Sequence, residues 1–368
     1  MNSEYRYSDG SMIKHVAIGP KSASGFVYPD KIPTDRPCVI ALGGELTYAD
    51  MFARRYTDHI YKLLNKHDLK DIDIYGVVYT FGDWRPDLYR ADMFRRAGRK
   101  LRLSDTSYAE QRLEEKLRKM HDFEPTPAYI EDLFEMIIEP RILDKNGNRF
   151  TDMNMVNKNM RNLIFYAHCH GGLALQNLLA EHTRTTMKKS GYSADEIKTA
   201  LKNVLVVQHN PVTPLEKAGF TTVSFASATD TTMKKHENII SKYILSYPED
   251  IPPSFLGEKA GNLFIASELF LNRQRGEKEH GFWGFVEHPA RADAKSQNGN
   301  VIFAAEGNAI VNGVKSALEG RPIPPVAELV AGDGVDFEQM KQRGDQFYNE
   351  MLAKTRQMKR NLRPDCQK

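Results

Sequence analysis

Cysteine is scarce: the chain has three, Cys38, Cys169 and Cys366, among 368 residues. They are far apart, odd in number and form no CxxC pair, which argues against a disulfide framework and a structural zinc site. The economical reading is a reducing, cytoplasmic compartment, with delivery as an effector to another location left open. No run of about 18 uncharged apolar residues occurs, so no transmembrane helix is expected. The first residues, Met1-Asn2-Ser3-Glu4-Tyr5-Arg6-Tyr7, lack the basic-then-apolar layout of a secretory leader. Charge of one sign is also in short supply. A formal net charge of +3 is too small to call for a polyanionic partner, and no nucleic acid is expected. Internal repeats are absent as well. With 41% hydrophobic and 27% charged residues, the chain has the composition of a globular protein large enough to bury a sizeable core.

What is present begins with a peripheral hairpin over residues 1–35, with apolar segments at Ile13–Ile18 and Gly25–Tyr28. A core follows over 36–320. Cys38-Val39-Ile40-Ala41-Leu42 reads as a buried strand ending at Gly43-Gly44. Phe52, Tyr56, Ile60 and Leu63 then fall at helical spacing between about 48 and 66. Ile72–Tyr79, Leu163–Ala167, Val204–Gln208, Thr221–Ala226 and Leu263–Ala266 read as further strands, with helices near 194–201 and 237–245. The apolar run Val301–Ala305 stands just before a predicted helix over 308–318. Strand and helix in alternation predict an α/β fold with a mostly parallel sheet. Residues 321–368 form a C-terminal extension with a long helix predicted over 336–360.

Residues 84–160 are far more than one crossover needs, and they predict an inserted helical layer or lid, with helical runs at 107–120 and 129–138. Between Arg85 and His121 there are 11 basic and six acidic residues. That excess is either a solvated helix face or a surface attracting an anionic substrate, Arg95, Arg96, Arg99 and Lys100 being its densest part.

The segment richest in chemistry is Ala167-His168-Cys169-His170-Gly171-Gly172. It follows an apolar strand and opens a helical stretch with Leu175, Leu178 and Leu179 on one stripe. A nucleophilic side chain at a sharp strand-to-helix bend, flanked two positions away by small residues, is a nucleophile-elbow pattern. The bend demands unusual backbone angles and close packing, which is why Ala167 and Gly171 flank it. Successive residues around one tight bend rarely converge on one ion, so His168, Cys169 and His170 are not read as metal ligands. No cofactor is called for.

The elbow is similar to the Gly-His-Ser-x-Gly-Gly motif of the α/β-hydrolase superfamily, with cysteine at the apex as in its dienelactone-hydrolase-like branch. The order of hairpin, Gly-Gly strand, helix, strand and elbow resembles that superfamily over residues 10–320. The resemblance implies an α/β-hydrolase-like sheet carrying a Cys169–His280–Asp230 triad. His280, in Glu279-His280-Gly281-Phe282, resembles the family's histidine loop, and Asp230 follows the Thr221–Ala226 strand as the family's acid does. His288 and Glu268 are the fallbacks. The amides of His170 and of Gly44 or Glu45 would form an oxyanion hole. The implied activity is hydrolysis or acyl transfer on an ester, thioester or lactone through a covalent thioester, the substrate being a small or acyl molecule, anionic if the basic segment takes part. The alternative is a catalytically silent member of the same fold acting as a binding or regulatory module.

Overall fold

The computed structural model describes residues 11–16, 25–27, 29, 32–44, 50–78, 127–209, 211, 219–227, 263–266, 297–332, 335 and 353. Its centre is an eight-stranded sheet. The strands are β1 (Ser11–Val16), β2 (Gly25–Val27), β3 (Cys38–Leu42), β4 (Asp73–Val78), β5 (Leu163–His168), β6 (Leu205–His209), β7 (Thr221–Ser227) and β8 (Leu263–Ala266). They lie in the order β2-β1-β4-β3-β5-β6-β7-β8. From β4 across to β8 every pairing is parallel, whereas the β1–β2 hairpin joins antiparallel at the β4 edge. The fold is therefore α/β with a mostly parallel sheet.

Parallel strands buried on both faces need continuous apolar runs rather than alternation, and β3, β4, β5 and β6 are buried along their whole lengths. Successive side chains still point to opposite faces. Cys38, Ile40 and Leu42 of β3, with Leu163, Phe165 and Ala167 of β5, enter one hydrophobic layer. Val39 and Ala41, with Ile164 and Tyr166, enter the other.

The second layer is closed by α1 (Asp50–Lys66) and by two later helices, α8 (Gln297–Leu318) and α9 (Val326–Val330). Leu329 and Val330 of α9 are buried, so the chain beyond residue 320 contributes to this core. The first layer is closed by α2 (Pro127–Leu133), a π-helical turn at Phe134–Ile138, α3 (Glu139–Ile142) and α4 (Met153–Arg161). It is completed by α5 (His170–Leu173), a second π-helical segment at Ala174–Leu179, α6 (Ala180–Lys189) and α7 (Ala194–Lys202). Ser193 and Glu196 form a reciprocal capping box at the start of α7. Within the expected insertion, Ile137, Ile142, Val156 and Met160 are fully buried against the sheet, so residues 127–161 are a sheet-covering layer.

One expectation changes. Val301–Ala305 is no separate element before a helix: it forms early turns of α8, which runs unbroken from Gln297 to Leu318. A five-residue apolar run cannot be told from buried helix by periodicity alone, and Ala305, Ala309 and Ile310 together face the core. The basic segment around 85–121 and the helices expected at 107–120 and 237–245 lie outside the described residues, as does nearly all of the 336–360 stretch.

Candidate active site

The site stands where the sheet's central strand ends. β5 runs between β3 and β6, and Cys169 follows its last residue directly. Cys169 has φ 55° and ψ −122°, a conformation that costs a residue with a side chain on the order of 1–3 kcal/mol and persists only where surroundings enforce it. Two hydrogen bonds do so. The Cys169 amide donates to the His209 carbonyl of β6 at 3.1 Å, and the Gly172 amide donates to the Cys169 carbonyl at 3.1 Å. Leu42 and Gly43, at the end of β3, press on the turn from the other side. A Cβ on Gly171 would lie 2.5 Å from the Leu42 carbonyl oxygen and 3.0 Å from that of Gly43.

Within this turn the Cys169 Sγ lies 3.1 Å from His170 Nδ1, with Cys169 4% exposed and His170 5% exposed. Gly44 comes against the same thiol. A Cβ placed on it would stand 3.0 Å from Cys169 Cβ, 3.5 Å from Sγ and 3.5 Å from His168 Nδ1. The structure thus brings together Cys169, His170 and Gly44 from the sequence-expected set. Glu45, Asp230, Glu268, His280 and His288 lie outside the described residues.

Beneath the elbow runs a buried polar chain; sequence reasoning places His168 there as a packing or hydrogen-bonding residue, but it missed the partners Tyr56, His209, Tyr166 and Glu306. On the α1 side, Tyr56 Oη and His168 Nδ1 are 2.9 Å apart. The His168 and His209 rings are register neighbours on β5 and β6, with centroids 5.4 Å apart. Glu306, in the middle of α8, joins both strands: its Oε2 lies 2.8 Å from His209 Nδ1, and its Oε1 accepts from the Tyr166 hydroxyl at 2.6 Å. Burial, reinforced by the Glu306 charge, holds the Tyr166 hydroxyl well above the usual phenol range. His59, packed by α1 near the Tyr166 ring, is pushed down from the usual imidazole value, first by burial. A lone acid in the apolar stretch Val301–Ala309 was the available signal, because an unpaired charge on a buried helix face needs a partner.

The helix leaving the elbow carries its own anchor. Gln176, on the π-helical segment, donates to Thr222 and accepts from the amides of Gly219 and Phe220, tying this helix to the start of β7. π-Helical turns inside α-helices concentrate at functional sites. Among the described residues, no group of three or more His, Cys, Asp or Glu side chains is arranged to hold a metal ion. Among the described residues, no helix is long and apolar enough to cross a membrane. In comparison with known proteins, the chain matches no family model and no curated sequence.

Proposed function

We infer that Cys169 is a covalent nucleophile and that the chain is a cysteine-dependent hydrolase or acyl transferase acting on carbonyl compounds. The observation that carries the reading is the backbone of Cys169 (φ 55°, ψ −122°) at a strand-to-helix bend, with an imidazole nitrogen 3.1 Å from its sulfur. Strained non-glycine positions cluster where a side chain must be presented for chemistry. A cysteine beside an imidazole is the pairing that turns a thiol into a nucleophile.

The chemistry is acyl transfer. The thiolate adds to a carbonyl carbon and the oxyanion is met by backbone amides, those of His170 and Gly44 or Glu45 being the ones the α/β-hydrolase resemblance implies. Collapse expels the leaving group and gives a thioester, which water or another acceptor then cleaves. Lactones, thioesters and activated esters suit this route, because a thiolate leaves readily from the tetrahedral adduct. A histidine takes the thiol proton: the resemblance implies His280 oriented by Asp230, and the described residues offer His170. The hydrolase-like arrangement draws support from the order of elements, which is hairpin, Gly-Gly strand, helix, strand, elbow and helix.

A silent hydrolase-fold protein serving as a binding or regulatory module is the competing reading, favoured by the burial of Cys169. Iodoacetamide treatment at neutral pH, read by peptide mass spectrometry, separates the two. Selective modification of Cys169 in the folded protein supports the enzyme. Labelling that proceeds only as the chain unfolds supports the binding module.

A further inference from the structure

The sulfur of Cys169 and the ring of the very next residue are already in contact: Nδ1 of His170 lies 3.1 Å from Sγ, and both side chains are almost wholly buried. We propose that His170 is itself the proton acceptor of the nucleophile, so that base and nucleophile are adjacent residues of one turn. This rests on the reading of Cys169 as nucleophile and adds the base to it.

Two features of the turn produce the contact. The positive φ of Cys169 folds the backbone back on itself, and His170 is the first residue of α5. Gly44 packs close against Cys169, and Gly171 packs close against the backbone at the end of β3. Among the described residues, most of the other ionisable groups near the turn are engaged with one another. α1 supplies Tyr56 and His59, β5 supplies His168 and Tyr166, β6 supplies His209 and α8 supplies Glu306. Tyr56 is hydrogen-bonded to His168, and Glu306 to both His209 and Tyr166. The His170 ring nitrogen meets the sulfur directly, at 3.1 Å.

The step balances without a co-reactant. The S–H bond of Cys169 breaks and its proton passes to Nδ1 of His170, leaving a thiolate and an imidazolium. The sulfur lone pair forms the C–S bond to the substrate carbonyl carbon. When the tetrahedral adduct collapses, the leaving group departs with the proton from Nδ1. Water then gives a proton to the freed Nδ1 and adds to the thioester, and the thiolate leaves and recovers its proton.

The test is the pH profile of Cys169 alkylation by iodoacetamide, site-resolved by mass spectrometry, in wild type, His170→Asn and His280→Ala. Circular dichroism checks that each variant is folded. The proposal expects a wild-type midpoint below the ordinary thiol value of about 8.5. It expects His170→Asn to raise that midpoint by about one unit or more, roughly a tenfold loss of thiolate at fixed pH, and His280→Ala to leave it in place. A midpoint raised by His280→Ala and untouched by His170→Asn would overturn the proposal while keeping Cys169 as nucleophile. A wild-type midpoint at or above the ordinary value would overturn both. If His170→Asn does not fold, His170→Gln replaces it. The difference in thiolate ultraviolet absorbance between wild type and Cys169→Ala then gives the midpoint independently, and a rise on His280→Ala alone still decides against His170.

Discussion

A methyl group on Gly171 would stand 2.5 Å from the carbonyl oxygen of Leu42, closer than any real contact of that kind. This one distance explains why the position two residues past the cysteine is glycine. The turn is pressed against the backbone end of β3, and nothing flexible can give way. Gly171→Ala is therefore expected to cost about 1–3 kcal/mol or more, the range for overpacking a tight interior. Urea unfolding measures it. An unchanged midpoint would mean that β3 and the elbow are less closely packed than described.

Glu306 is the keystone of the polar chain under the site, serving His209 on β6 and Tyr166 on β5 at once. Glu306→Ala would take from two buried polar side chains the acceptor they share, and a buried polar group that loses its hydrogen bond costs about 1–3 kcal/mol. Glu306→Gln keeps the shape and one acceptor, and should cost less. Thermal unfolding of the two variants side by side gives the order. Equal stability of Glu306→Ala and wild type would contradict the role assigned to this carboxylate.

His59 gives a pH dependence of known sign. Burial favours its neutral form, so its folded-state pKa lies below the ordinary imidazole value of about 6.5. Between the two values the unfolded chain binds more protons than the folded one. This contribution to stability is full above about pH 6.5 and is lost progressively as pH falls below it. His59→Gln should flatten the stability profile as pH falls below about 6.5. A profile identical to wild type would show that His59 titrates alike in both states.

Cys38 provides an internal control. Burial pushes its thiol up to about 11, against the opposing pull of the nearby Arg141 guanidinium. Under native conditions at neutral pH it should resist alkylation and become reactive only with global unfolding, since a buried neutral thiol is inert. Rapid labelling of Cys38 in the folded protein would show that the strand start is open to solvent.

The fold was legible because hydrophobic runs and breakers recur in strand–helix alternation. The reading of Cys38–Leu42 matches to the residue, and those of Leu163–His168 and Leu205–His209 differ by one position at one or both edges. The elbow was legible because bend geometry restricts the residue types flanking it, and Ala167 and Gly171 meet that restriction. Val301–Ala305 misled because a short apolar run is consistent with either period. The His209–Glu306 pairing was hidden for a different reason. Its members are 97 residues apart, and only the packing of α8 across β5 and β6 brings them together. The unusual backbone of Cys169 was legible from the bend pattern, but which ring nitrogen would meet the sulfur is a matter of side-chain placement that no pattern of residue types reports. The triad partners expected at Asp230 and His280 lie outside the described residues, so the site's outer part rests on the sequence.

The most direct test of Cys169 as a covalent nucleophile is trapping of the acyl-enzyme with p-nitrophenyl acetate. Mass spectrometry then locates the acetyl group, and hydroxylamine sensitivity diagnoses a thioester. The account predicts a rapid burst of nitrophenolate, an acetyl group on Cys169 that hydroxylamine removes, and loss of both in Cys169→Ala. An equal burst from Cys169→Ala, or acetyl groups found on other residues while Cys169 stays free, would contradict it.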